Sequence, residues 1–136
     1  MHIALIRHRP NRRRVAQLLL GGTVAGLSLP AVAHHGWSWA EDHQTELRAT
    51  IVSISMAPPH PSLRVKAADG VLWQIELGNP SLTERSGFTA TSAKPGDPVT
   101  ILGNRHKDKT KIQMKAVRIT IAGKNYDIYP ERIRTN

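Results

Sequence analysis

The stretch LRVKAADGVLWQIEL, residues 63–77, decides the fold. Its first five residues alternate between apolar and charged side chains, which is the period of a strand with one buried face. Ala-Asp-Gly at 68–70 is typical of a tight turn. Alternation then resumes, with apolar side chains at every second position from Val71 to Leu77. The stretch therefore predicts a β-hairpin whose strongly apolar face needs further strands to cover it.

The segments on either side of this hairpin also read as strands. Pro-Pro at 58–59 ends the strand before it, and Lys-Pro-Gly-Asp at 94–97 predicts a turn into a strand after it. In the longest later strand the apolar phase changes near Lys115, which predicts a β-bulge that bends the strand around a barrel corner. The predicted additional strands span residues 46–56, 99–102, 111–121 and 126–129.

A short helix is predicted between the third and fourth strands. Ser81, followed three residues later by Glu84, fits a capping box, and Gly87 is a natural stop for a helix over residues 81–86. Strands, one short helix and more strands are the layout of the OB-fold, a small Greek-key barrel. We therefore predict an all-β, OB-fold-like barrel of five to six strands over residues 45–130, with a β-sandwich as the alternative. The predicted core includes Ile51, Val65, Trp73, Ile75, Leu77, Ile101 and Met114.

The first 33 residues have a different character from the rest. They contain five arginines and no acid, then an apolar run from Leu18 to Leu29, then Ala-Val-Ala at 31–33. This pattern predicts a signal peptide that is cleaved after Ala33 and leaves no transmembrane anchor. Asn-Arg-Arg-Arg-Val at 11–15 resembles a twin-arginine signal, and the general secretory route is the alternative. We expect a bacterial protein that is periplasmic or secreted.

Charge and composition exclude several classes of function. The net charge of +9 falls to +4 once the five arginines of the first 33 residues are removed, so nucleic acid is not an expected partner. The chain contains no cysteine, which excludes disulfides, thiolate metal sites and cysteine nucleophiles. No catalytic triad or phosphate-binding loop is present, so we expect no enzyme. The basic group Arg105, Lys107, Lys109, Lys111 and Lys115 is expected to be solvated, or alternatively to contact an anionic surface.

Histidine is the residue type with the clearest chemistry. Cleavage after Ala33 would give His34 a free α-amine, and that amine and the ring Nδ1 form a chelate to which His35 adds a second imidazole. Such nitrogen donors suit a divalent metal, copper(II) first. His60, in a loop stiffened by prolines, is the best further ligand. The predicted metal ligands are thus His34, His35 and His60, unless the histidine pair is only a polar tail.

Other polar and aromatic side chains receive weaker assignments. Trp37 and Trp39, within an N-terminal segment spanning residues 34–44, either contribute to ligand binding or close the barrel interior like a lid. Glu76 lies on the outer face of its strand and is expected to be solvated or paired with Arg64 or Lys66. The alternative to a metal-binding protein is an OB-type module that binds a small ligand or an unknown protein of the cell envelope. Residues 131–136 are expected to form a C-terminal tail.

Three segments of the sequence are distinctive in combination: AHHGW at 33–37, APPHPSLRVKAADGVLWQIELGNPSLTERSGF at 57–88 and KPGDPVTILG at 94–103. Together they resemble a family of small exported bacterial proteins, domain-of-unknown-function family 6152. Members of this family tend to have the paired histidines, an Asn-Pro-His segment, a Trp before an acidic strand, a Pro before a short helix and the Lys-Pro-Gly-Asp turn. This chain departs from the family in having Pro59 where asparagine is usual. The resemblance implies export but no activity.

Overall fold

The computed structural model describes residues 36–134 of the chain. The predicted signal peptide, His34, His35 and the last two residues lie outside the described residues. Within residues 36–134, the structure contains no helix with the length and apolar character needed to cross a membrane. The elements are β1 (Thr45–Ser55), β2 (Ser62–Ala67), β3 (Leu72–Glu76), α1 (Pro80–Arg85), β4 (Pro98–Arg105), β5 (Gln113–Ile121), β6 (Lys124–Asp127) and a 3-10 turn (Pro130–Arg132).

The strands pair in the order of an OB-fold barrel. β2 and β3 form the predicted hairpin, β1 pairs with both β2 and β4, and β4 pairs with β5, all antiparallel. β3 and β5 then pair in parallel, which closes the five strands into a barrel, and β6 extends the sheet beyond β5. The predicted all-β barrel with one short helix is confirmed. The sandwich alternative is wrong because the β3–β5 seam joins what would otherwise be two free edges.

The barrel interior is filled by the apolar faces of the strands. Every predicted core residue is buried, with at most 9% of its surface exposed. Phe88, three residues beyond the end of α1, meets the ring of Tyr126 edge to face at 5.4 Å, so the segment after the helix packs against β6. The main cluster includes Ile51, Leu63, Val65, Trp73, Ile75, Leu77, Phe88, Ile101, Met114, Ile119 and Tyr126.

The predicted bulge is present in β5. Leu102 of β4 is paired with Arg118, whereas the next residue, Gly103, is paired with Ala116, so Val117 is an extra residue in β5. A side chain on Gly103 would collide with the carbonyl oxygen of Lys115, which explains the glycine at this close approach. Residues 114–117 are all buried as a result of the bulge, instead of alternating. The expectation that Lys115 is solvated is therefore wrong.

The helix begins one residue earlier than predicted. Asn79, not Ser81, caps it, because the Asn79 side-chain oxygen accepts a hydrogen bond of 2.9 Å from the backbone N–H of Leu82. Pro80 then occupies the first helical position, where its fixed φ and missing N–H cost nothing. The predicted stop is confirmed, since Gly87 adopts φ +87° and its N–H bonds to the carbonyl of Glu84.

Candidate functional site

A buried ion pair lies at the β3–β5 seam. Glu76 and Lys115 are partners across the parallel pairing, and the Lys115 ammonium contacts the Glu76 carboxylate. The Lys115 side chain is 1% exposed and the Glu76 side chain 17% exposed. A charge this deeply buried requires a partner of opposite sign. The expectation that Glu76 is solvated or paired with Arg64 or Lys66 is wrong, because the seam brings a closer cation to its carboxylate.

The same carboxylate faces His60. The His60 Nδ1 atom lies 3.6 Å from Glu76 Oε1, which is longer than a hydrogen bond but within ion-pair distance. On the other side, Gln113 Nε2 lies 3.5 Å from Glu76 Oε2. In the tautomer that carries its proton on Nδ1, His60 would keep a lone pair on Nε2. The His60 side chain is 38% exposed, so a ligand from solvent can approach it. We call His60, Glu76, Gln113 and Lys115 the seam cluster.

Two aromatic rings cover the lysine of the seam cluster. The Lys115 ammonium lies 5.6 Å from the ring centre of Trp37 and 5.8 Å from that of Tyr129. The two rings meet edge to face at 4.9 Å, and the guanidinium of Arg132 lies 4.2 Å from the Trp37 ring. Burial, and then the negative charge of Glu76, raise the pKa of Tyr129 to about 12. The Tyr129 hydroxyl therefore stays neutral at physiological pH.

The N-terminal segment reaches the seam cluster along a defined path. A methyl group added to Gly36 would lie 3.9 Å from the Lys115 ammonium nitrogen. Further along, Ala40 forms a β-bridge with His106, and the N–H of Glu41 donates a 2.8 Å hydrogen bond to the Arg105 carbonyl. The described chain therefore begins next to Lys115 and is held to the barrel from there.

The predicted site residues occupy different parts of the molecule. His60 belongs to the seam cluster, whereas His34 and His35 precede the described residues. Trp37 packs on Tyr129, and Trp39 stacks on His106 with 5.1 Å between ring centres. Among residues 36–134, no three His, Asp or Glu side chains lie close enough together to hold a metal.

Four contributors to this site were not predicted from the sequence: Glu76, Gln113, Lys115 and Tyr129. The available signal was the lone lysine in Gln-Met-Lys-Ala-Val at 113–117, since a charge between apolar residues at a phase slip is out of place on a simple amphipathic strand. Nothing near Glu76 in the sequence indicates its partner.

Comparison with known proteins supports the resemblance found in the sequence. A family model, described as a family of unknown function (DUF6152), matches residues 22–115. The matched range contains the paired histidines, His60 and Glu76, and it ends at Lys115. No curated protein matches the chain.

Proposed function

The chain belongs to the DUF6152 family, whose function is unknown, and we propose from its own residues that it is an exported protein that binds copper(II) through His34, His35 and His60. The observation that carries this proposal is the orientation of His60. Its Nδ1 faces the Glu76 carboxylate at 3.6 Å, which leaves Nε2 for a metal. Metal-binding histidines commonly donate a hydrogen bond from their second ring nitrogen to a carboxylate, which fixes the ring and increases its basicity. The proposal therefore requires His60 Nδ1 and Glu76 Oε1 to approach from 3.6 Å to hydrogen-bond distance when the metal binds.

The proposal requires the paired histidines to meet His60. His35 is bonded to Gly36, and consecutive α-carbons are at most about 3.8 Å apart. Gly36 lies beside the Lys115 ammonium, which contacts the same carboxylate that His60 faces. The two peptide units before Gly36 would therefore have to bridge from the neighbourhood of Lys115 to His60.

The proposed ligand set is rich in nitrogen. After cleavage behind Ala33, the α-amine and Nδ1 of His34 close one chelate ring, and His35 and His60 add two imidazoles. An α-amine with a pKa of about 7.7–8.0 loses its proton readily to a metal at neutral pH. Lys115 neutralises Glu76, so this carboxylate supports His60 instead of binding the metal itself. Because the amine exists only after signal removal, copper would be loaded outside the cytoplasm.

Copper(II) titration of the processed protein, beginning at His34, tests this proposal. His34→Ala should weaken binding most, because it removes a donor and a chelate ring together. His60→Ala should have an intermediate effect, and Glu76→Gln should cost about 10–100-fold in affinity. His43→Ala is the matched control, since the His43 side chain is 70% exposed and pairs only with Glu41 among the described residues. Equal affinities of the wild type and His34→Ala would overturn the proposal.

The proposed processing has its own test. Mass spectrometry of the protein purified from the bacterial envelope should find His34 as the first residue, together with bound metal. A version extended by one residue before His34 should lose tight copper binding because its α-amine is displaced from the chelate. Intact protein beginning at Met1 as the stable cellular form would overturn the export proposal.

A second candidate, an OB-type binding module without catalytic activity, is favoured by a basic pocket on the β4–β5 connection. In OB-folds this connection commonly contacts ligands. Binding by such a module would not change when the N-terminus is extended by one residue. That difference separates the two candidates.

A further inference from the structure

A second concave site lies where β4 passes into β5. It is a cavity of about 190 Å³, and it shares no lining residue with the seam cluster. Its lining combines one buried aromatic ring, one exposed aliphatic side chain and four nitrogen-bearing side chains. These residues are Trp73, Arg105, His106, Lys109, Lys111 and Ile112.

The charges around this pocket are unbalanced. Lys109 forms an ion pair with Glu41, but within residues 36–134 neither Arg105 nor Lys111 has a carboxylate at ion-pair distance. The acid of the same loop, Asp108, accepts hydrogen bonds from the hydroxyl and the N–H of Thr110 at 2.7 and 3.0 Å. Those bonds are the main cause of the lowered pKa of Asp108, and the charge of Lys111 lowers it further. Lys111 is thus partly balanced by Asp108, whereas Arg105 has no carboxylate at ion-pair distance among the described residues.

Arg105 is held in place for an anion. Its guanidinium carbon lies 4.5 Å from the centre of the Trp73 ring, which is itself only 9% exposed. The Arg105 Nε atom is buried and makes no hydrogen bond to the described residues. Because Nε is closed off from solvent, a ligand would meet the terminal nitrogens of this guanidinium, which can donate two parallel hydrogen bonds to the oxygens of a phosphate.

An apolar side chain borders the same pocket. Ile112 in the lining is 40% exposed. An inorganic anion would make no use of this side chain, whereas a phosphate ester with an apolar portion would cover it. We propose that this pocket binds a phosphate ester carried by an apolar group, either a phospholipid headgroup or a soluble ester. This site is independent of the proposed metal.

Vesicle sedimentation and titration distinguish the two sources. The first probe is vesicles of one part phosphatidylglycerol to three parts phosphatidylcholine, compared with pure phosphatidylcholine. The second probe is soluble short-chain dihexanoylphosphatidylglycerol below its micelle concentration, titrated by NMR. Vesicle binding identifies a membrane headgroup as the source, and binding of the soluble ester alone identifies a soluble ligand. If neither probe binds, the proposal is overturned.

Substitutions show whether the pocket itself carries the binding. Arg105→Gln combined with Lys111→Gln should weaken binding by about 25-fold at low salt, since each cation that meets the anionic headgroup contributes about fivefold to the affinity. The matched control, Arg64→Gln with Lys66→Gln, removes the same charge from exposed positions on β2 and should leave affinity within about twofold. Equal losses in both variants would mean diffuse charge and would overturn the proposal. Lys111→Glu alone, in an exposed loop, should still lower affinity if the Arg105 variant does not fold.

Discussion

β5 contains two ion pairs that differ in burial. Lys115 pairs with Glu76 of β3, and three residues later Arg118 pairs with Asp127 of β6. The exposed fractions of the side chains are 1% and 17% in the first pair, against 31% and 35% in the second. We call Lys115–Glu76 the inner pair and Arg118–Asp127 the outer pair. The outer pair has the better geometry, with two hydrogen bonds of 2.5 and 3.0 Å. The important difference between the two pairs is therefore burial and not geometry, because burial determines how much stability is lost when one charge is left without its partner.

The outer pair is strong locally but weak in its effect on folding. The hydrogen bonds from Arg118 hold the pKa of Asp127 below its usual range, and the Arg118 pKa is raised in return. Solvent screens both charges, so pairs of this kind contribute about 0.2–1 kcal/mol. In the inner pair, a charge left alone beside Trp37 and Tyr129 would have no water to replace its partner. The inner pair thus constrains its surroundings, including the orientation of His60.

Lys115→Ala should give the largest effect on stability. Removal of the ammonium leaves the Glu76 carboxylate without its cation at the seam, and breaking a buried pair costs about 3–5 kcal/mol. Urea denaturation at pH 7 measures this loss, and Lys66→Ala on exposed β2 is the control that should change little. A loss below about 1 kcal/mol would mean that the inner pair stabilises the fold no more than the solvent-screened outer pair does.

Tyr129 should report the low polarity around the inner pair. In a Tyr126→Phe background, the remaining tyrosine should ionise at about pH 12, measured by absorbance at 295 nm. Because the folded pKa is raised above the usual 10, the stabilising contribution of the neutral hydroxyl is complete below pH 10 and is lost as the pH rises towards 12. Glu76→Gln should lower the midpoint, since it removes one of the causes of the shift. Ionisation near pH 10 in the folded protein would show that water reaches the inner pair.

Removing both inner charges together should separate stability from function. The free energy of unfolding of the double variant Lys115→Met, Glu76→Leu should lie within about 1 kcal/mol of the wild-type value. Apolar pairs of similar volume commonly replace buried ion pairs without loss of stability. The same variant should lose about 10–100-fold in copper affinity, because His60 no longer faces a carboxylate. A double variant as unstable as Lys115→Ala would mean that packing, and not charge, explains the first result.

The outer pair should give the smallest effect. Asp127→Asn should cost about 0.5 kcal/mol at pH 7, within the range for exposed pairs. Since the folded pKa of Asp127 lies below its usual 3.8, this contribution is complete above about pH 5 and is lost as the pH falls through the lowered pKa. Unfolding curves at pH 7 and pH 3 measure the difference in free energy of unfolding between the wild type and Asp127→Asn. This difference should be smaller at pH 3 and in high salt. A cost above 2 kcal/mol would contradict a mainly solvent-screened pair.

The fold was largely predictable because its signals are local. Strict alternation over residues 63–77 predicts the hairpin, Gly70 its turn, and the phase slip in β5 the bulge at Val117. The helix cap was harder, since Asn79 and Ser81 are both good caps. Only the tolerance of proline for the first helical position favours Asn79.

The candidate site was less predictable because it forms across the seam. His60 was identifiable from its stiff loop, but the contact between Glu76 and Lys115 joins residues 39 apart in sequence. Alternation assigns a side chain to a face of its own strand and contains no information on which distant strand closes the barrel. Lys115 looked solvated for the same reason, since the bulge changes its direction without changing its residue type.

The seam also has a consequence for the order of folding. Loop closure costs entropy before distant contacts form, so the β2–β3 hairpin is favoured early and the parallel β3–β5 contact late. Before β3 and β5 pair, Lys115 and Glu76 remain hydrated. They lose their water only in the final step, when the barrel closes. Changes in this pair should therefore accelerate unfolding while leaving the folding rate almost unaltered. The lifetime of the closed barrel, and with it the time for which His60 is held in place, then depends in part on keeping this buried pair intact.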